Sequence, residues 1–158
     1  RAMIDLAVMM GKVVCVTDPN VALVRDKNLI EKRRTNGDAS GAVPNPKLVT
    51  GLLQEKSQIA GELFPQFTHQ NNRSDDVFGQ GAWLIGESDG IDRNLLEAAG
   101  IGVPSLSSFS SPVSRWLDNT GYKAVLVRPD RVIFGGGDAA ELVTAYMEGL
   151  YREARAFA

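Results

Sequence analysis

At 158 residues and 44% hydrophobic content, the chain is long enough to close one sizeable core, hiding about 70% of its extended surface, with room for an appendage. Seventeen Lys and Arg against nineteen Asp and Glu give a net charge of −2 and a pI near 5.4, which predicts no basic face and no nucleic-acid partner. A single cysteine, Cys15, excludes an internal disulfide, and with His69 the only histidine no His/Cys zinc site can be built within one chain.

The same cysteine usage makes a reducing, cytoplasmic setting the expectation. The most apolar run, residues 6–16, is far shorter than a bilayer-spanning helix, carries Lys12, and lacks the small-residue site of a signal peptide. No membrane partner is expected. A start at Arg1 rather than Met suggests a fragment or a processed product.

Residues 1–16 favour a helix that is apolar on nearly every side, with Met3, Ile4, Leu6, Val8, Met9, Met10, Val13 and Val14 against only Arg1, Asp5 and Lys12. Such a helix belongs inside a larger body. Asp18 followed by Pro19 predicts the cap and first turn of a second helix, ending at Lys32-Arg33-Arg34 before Asn36-Gly37. The basic triplet sits where the helix macrodipole favours cations, so it needs no nucleic acid to explain it. Residues 37–51 read as an extended connector rich in Gly, Pro, Ser and Asn. Residues 52–76 carry little periodicity, and Leu63, Phe64 and Phe67 around Pro65 suggest an arm that packs onto something without folding alone.

A regular domain is expected from Val77. Residues 82–85 read as a short buried strand, 91–99 as a helix stopped by Gly100, and 101–106 as a second strand. Pro112 is expected to open a helix that Asn119-Thr120-Gly121 breaks. A hairpin follows: strand 122–128, a two-residue turn at Pro129-Asp130, strand 131–134, then Gly135-Gly136-Gly137 as a flexible joint. The last helix is the clearest element. Asp138 and Glu141 resemble a capping box, Leu142, Val143, Tyr146, Met147, Leu150, Tyr151 and Ala154 form one stripe, and Glu148 precedes Arg152 by four residues.

Several motifs invite a chemical reading. Gly86-Glu87-Ser88-Asp89-Gly90 has the G-x-S-x-G form of a nucleophile elbow between strand and helix. That architecture needs a histidine after the serine, yet His69 precedes it, and Glu87 and Asp89 oppose an alkoxide. The bland reading is a turn in which Ser88 or Asp89 caps the next helix. The triple glycine lacks the Lys and Ser/Thr of a phosphate loop and is followed by Asp138. Gly79-x-Gly81 lacks the third glycine of a dinucleotide fingerprint and precedes its strand. His69 reads as a surface histidine, Cys15 as a small packed hydrophobe, and Trp83 and Trp116 as core. No catalytic, cofactor-binding or metal-ligating residue is assigned.

From end to end the sequence resembles the C-terminal portion of FAD-dependent class A aromatic hydroxylases, of the phenol hydroxylase and 3-(3-hydroxyphenyl)propionate hydroxylase type. RAMIDLAVMMGKVV is similar to the last helix of their flavin and substrate body. VPNPKL and GELFPQ resemble their linker, and FGQGAWLIG, AAGIGVP and YKAVLVRPDRVIFGG resemble their thioredoxin-like terminal domain. Two departures from ordinary thioredoxins accompany this. Glu87-Ser88-Asp89-Gly90 stands where a dithiol would be, and Gly121-Tyr122-Lys123 offers no proline before the hairpin. Disulfide exchange needs a thiolate, which such a domain lacks.

The resemblance implies an α/β thioredoxin-like domain at 77–158 without redox cysteines, preceded by helices of the flavin body at 1–36 and a linker and packing arm at 37–76. It implies a whole enzyme that uses FAD, NADH or NADPH and oxygen to hydroxylate a phenolic ring, while this segment holds no cofactor. The expected partners are its own N-terminal catalytic body and other subunits of a homo-oligomer. The alternative is a free-standing, redox-inactive thioredoxin-like interaction module.

Overall fold

The computed structural model describes residues 2–36 and 46–156. Two compact units divide the chain, Arg1–Pro46 and Lys47–Ala158. Most of the connector expected at 37–51 lies outside the described residues.

The first unit holds two helices, α1 (Ala2–Val14) and α2 (Pro19–Asn36). Asp18 caps α2 as its chemistry predicts, its Oδ1 accepting from the amides of Asn20 at 2.8 Å and Val21 at 3.2 Å. Arg25 of α2 reaches back, its Nη1 donating to the Val13 carbonyl at 2.8 Å, and so satisfies one of the open carbonyls ending α1. Val8, Met9, Met10, Val21, Val24 and Ile30 are all exposed. Cys15 corrects the packed-hydrophobe expectation: it lies one residue beyond the last turn of α1 and is exposed.

The second unit contains β1 (Thr68–His69), β2 (Asn72–Arg73), α3 (Ser74–Phe78), β3 (Ala82–Gly86), α4 (Arg93–Ala98), β4 (Ile101–Gly102), α5 (Ser110–Thr120), β5 (Ala124–Val127), β6 (Ile133–Gly137) and α6 (Ala139–Ala156). Its main sheet runs β4-β3-β5-β6, with β3 parallel to β4 and antiparallel to β5, and β5 antiparallel to β6. A β3-α4-β4 half is thus joined through α5 to a β5-β6-α6 half. This is a mixed sheet flanked by helices, the arrangement of a thioredoxin-like domain.

Alternation along the strands divides the core into two layers. Ala82, Leu84, Ala124, Leu126 and Phe134 face Leu96 of α4 and Leu142, Val143 and Tyr146 of α6. Trp83, Ile85, Val125, Val127 and Ile133 face Phe109 and Val113 at the start of α5, with Phe64 and Phe78. Burial on both faces explains why the strands read as continuous apolar runs. Each large side chain so buried contributes about 1.5–3 kcal/mol.

Several boundaries differ from expectation, each for a local reason. The strand beginning at Ile101 stops at Gly102, ahead of Pro104, which has no amide to give a ladder. Helix α4 is capped by Asp92, whose Oδ1 accepts from Asn94 N at 2.9 Å, and neither Ser88 nor Asp89 does this. In α5, Pro112 is the third helical residue, still within the first turn where a missing N–H costs nothing. Gly121 ends α5 in the left-handed region at φ 73°. Asp138 caps α6 through Ala140 N at 2.9 Å and Glu141 N at 3.2 Å. The stripe of α6 is covered only over its first half: Leu142, Val143 and Tyr146 are buried, whereas Leu150 and Tyr151 are exposed.

The largest correction concerns the hairpin and the arm. Arg131 adopts φ 67°, its amide donates to the Arg128 carbonyl at 3.0 Å, and Arg128 N donates to Val132 O at 2.8 Å. The loop therefore has three residues, the last in the left-handed region, and a register shift follows at Leu126/Val127. That shift moves the strand on to Ile133–Gly137. The glycines expected to be a joint form its paired body, Gly135 opposite Leu126 and Gly136 opposite Val125. Of the arm expected over 52–76 to pack onto something without folding alone, residues 54–64 lie along the outer edge of β6 within the same unit. Gly61 N donates to Ile133 O at 2.8 Å, Ile133 N to Glu62 O at 2.8 Å, Gln54 N to Phe134 O at 2.9 Å and Phe64 N to Arg131 O at 2.8 Å.

Candidate functional site

The turn after β3, where the sequence reading expects a dithiol in an ordinary thioredoxin, is built from Glu87-Ser88-Asp89-Gly90. It leaves β3 at Gly86, which has φ 110° and whose missing Cβ would press on the Lys123 carbonyl and lie 3.0 Å from Ala124 Cα. The first glycine of G-x-S-x-G is thus explained by the close approach of β3 to β5. Glu87 N then donates to Lys123 O at 3.0 Å, and the Glu87 and Lys123 side chains form an exposed ion pair at 3.8 Å. Gly90 turns the chain at φ 81°.

Beside this turn are two hollows. One, of about 610 Å³, is lined by Ser88, Asp89, Arg93, Leu96, Glu97 and Val103 among others. The other, of about 170 Å³, adds Glu87, Lys123 and Asp138. Among the described residues the Ser88 hydroxyl makes no hydrogen bond. His69 sits in the small β1-β2 ribbon, exposed, with its ring against the edge of Phe109 at 6.4 Å. At this turn the described residues bring together a serine, carboxylates and a lysine, with neither a thiol nor an imidazole among them.

The other glycine motifs are occupied by the protein itself. The carbonyls of Gly79 and Gly81 accept from Arg131 at 3.0 and 3.1 Å. Gly136 N donates to Ser57 Oγ at 3.0 Å within the β6 edge, and its neighbours pair with Ala124 and Leu126. In the triple glycine the Gly136 amide is thus already bonded to Ser57 and is not open to a phosphate. Among the described residues no cluster of three His, Cys, Asp or Glu side chains could hold a metal ion, and no single helix is long and apolar enough to cross a membrane.

What sequence reading missed is a structural knot around Arg131. Its guanidinium lies over Trp83, donates to Gly79, Gly81 and Pro129 carbonyls, and stands 3.5 Å from Asp75. Arg128 does similar work nearby, holding Leu52 O at 3.1 Å and Asp130 at 2.7 Å. The signal lay in the arginines flanking Pro129-Asp130, but the partners are 50 residues or more away in sequence for Gly79, Gly81 and Leu52.

No protein-family model matches this chain, and no curated protein matches it. Among solved structures it is similar to the substrate-free form of the rebeccamycin biosynthetic enzyme RebC, with 17% identity and a TM-score of 0.48. The match covers 85% of this chain and 28% of that one. RebC soaked with chromopyrrolic acid and holding 7-carboxy-K252c gives 18% identity and a TM-score of 0.48, over 85% and 30% of the two chains. RebC with reduced flavin gives 17% and 0.44, over 85% and 28%. The chain therefore spans less than a third of the length of these neighbours.

Proposed function

We propose that this chain is the C-terminal portion of a FAD-dependent aromatic monooxygenase of the phenol hydroxylase type. Its thioredoxin-like domain serves structure or subunit association and takes no part in the chemistry. The observation that carries the reading is the vacant redox position: Glu87-Ser88-Asp89-Gly90 occupies the turn after β3, and Cys15, the one thiol, belongs to the other compact unit. The sequence resemblance described above supports it, from the N-terminal apolar helix to the RPD hairpin. The exposed apolar side chains of α1 and α2 support a partner such as the catalytic body of the same polypeptide. In the whole enzyme, FAD and NADH or NADPH would supply the redox chemistry with oxygen, and a phenolic ring would be the substrate. A cytoplasmic location is part of the same proposal.

The test compares the longer protein with and without residues 47–158. Loss of its oligomeric state or thermal stability is expected on deletion, and the isolated 158-residue chain should bind no FAD by absorbance titration. Unchanged assembly, stability and turnover would refute the structural role, and stoichiometric flavin binding by the isolated chain would refute its passive character. A second reading, a free-standing interaction module, is favoured by one observation: Lys47–Ala158 carries a two-sided core of its own. The coding sequence ahead of Arg1 separates the two, through a dinucleotide fingerprint in frame or a nearby start codon.

A further inference from the structure

The two edges of the main sheet are treated differently. The β4 edge is two residues long and is followed by Pro104, too short to template another strand. At the other end β6 has five residues, three of them glycine, and no charged side chain along it. An uncharged, glycine-rich strand of this kind can pair with itself, since two copies can add antiparallel about a two-fold axis. Its outer pairing groups are taken by residues 54–64 through three of the backbone bonds given above, at Ile133 and Phe134, and by Ser57 Oγ, which accepts from Gly136 N at 3.0 Å. The glycine run is shaped to this cover. A Cβ on Gly135 would occupy the place of the Gln54 side chain, and a Cβ on Gly136 would lie 2.6 Å from the Tyr122 ring. The Tyr122 hydroxyl in turn accepts from Gln58 N at 3.1 Å, tying the cover to the opposite face.

We propose that residues 54–64 are an edge guard, a strap whose role is to occupy the β6 pairing groups that a second copy of β6 would otherwise take. Releasing the strap's hydrogen bonds from Ile133, Phe134 and Gly136, with Phe64 kept in the core, converts β6 into a homotypic docking edge. This does not depend on the monooxygenase reading, because it concerns one strand of the isolated chain and would hold equally for a free-standing module.

The experiment uses the full 158-residue chain. Gly61→Ala places a side chain at φ 86° against the Leu48 backbone and should unseat the strap without altering β6. Relative to the parent chain, sedimentation should show a concentration-dependent doubling of mass. Amide exchange at Ile133 and Gly136 should quicken in the monomer by roughly fivefold or more, the factor for one lost hydrogen bond. Adding Gly137→Lys, where a side chain meets nothing within 4 Å, should abolish the doubling, since a lysine blocks edge pairing. Should Gly61→Ala fail to fold, the milder Ser57→Ala with Tyr122→Phe takes its place, with the same readouts. Faster exchange without added association would overturn the proposal, and so would association indifferent to Gly137→Lys. Unchanged exchange in both variants would also overturn it, because the strap would then be an inseparable part of the sheet.

Discussion

The guanidinium carbon of Arg131 lies 3.6 Å from the centroid of the Trp83 ring, the largest fully buried side chain of the domain. Arg131 holds this place from a backbone at φ 67°, so one residue closes the hairpin, covers the indole and gathers the carbonyls of Gly79, Gly81 and Pro129. Arg131→Ala keeps the same backbone cost, as both residues carry a Cβ, and so isolates the side chain. The loss of a shielded cation–π contact and of hydrogen bonds to partly buried carbonyls should total about 2–4 kcal/mol in urea unfolding, with a shift in Trp fluorescence. Arg131→Lys should recover less than half, because an ammonium cannot stack flat and fork to the same carbonyls. A loss below about 0.5 kcal/mol for the alanine variant, the range of ordinary surface changes, would refute the knot.

The glycines of β6 are predicted to be unequal. Gly136→Ala drives a methyl into the Tyr122 ring and should cost about 1–3 kcal/mol. Gly137→Ala meets open space and should be neutral or stabilising by up to about 1 kcal/mol through the unfolded chain. A double-mutant cycle of Gly136→Ala with Tyr122→Ala should show favourable coupling, because removing the ring vacates the space the methyl needs. Equal effects at the two positions would show that backbone freedom, and not the approach of Tyr122, selects glycine here.

These positions also show where sequence was sufficient and where it was not. Asp18, Asp138 and Gly121 were legible because a cap or a left-handed stop is written within a few residues of where it acts. The two-sided burial of β3 and β5 was legible from unbroken apolar runs, whereas the thioredoxin-like arrangement was expected from the resemblance. The strap was not, since its backbone bonds reach β6 and say nothing through side-chain period. The triple glycine read as a joint because the reasons for it, Gln54 and Tyr122, are distant in sequence. At the turn after β3 the absence of a thiol was plain from the sequence, whereas the role of Gly86 required the Lys123 carbonyl to be seen against it.

Within the G-x-S-x-G stretch, Gly86 should matter and Ser88 should not. Gly86→Ala combines a left-handed φ of 110° with collision against β5 and should lower stability by about 2 kcal/mol or more. Ser88→Ala removes a hydroxyl with no hydrogen-bond partner among the described residues and should stay within about 0.5 kcal/mol. Neither the parent nor Ser88→Ala should react with a fluorophosphonate probe. Labelling of the parent that is lost in Ser88→Ala would mean a nucleophile does form at this turn.

The domain boundary offers the sharpest contrast. Phe64 is buried against Trp83 at 6.0 Å and Trp116 at 5.1 Å, both edge-on, and Ser74 receives Phe67 N at 3.0 Å while donating its own amide to Phe67 O at 2.9 Å. A piece beginning at Val77 loses these contacts together with the four backbone bonds of the strap. At about 1 kcal/mol for each backbone bond and about 1.5–3 kcal/mol for the buried phenylalanine, the deficit is at least about 5 kcal/mol. That equals the whole margin of a domain at the low end of stability. Residues 47–158 should therefore unfold cooperatively by circular dichroism and give dispersed amide spectra, whereas residues 77–158 should aggregate or lack fixed tertiary structure. A folded 77–158 piece with the same midpoint would mean that the strap and Phe64 contribute nothing to the core, against the geometry of the β6 edge.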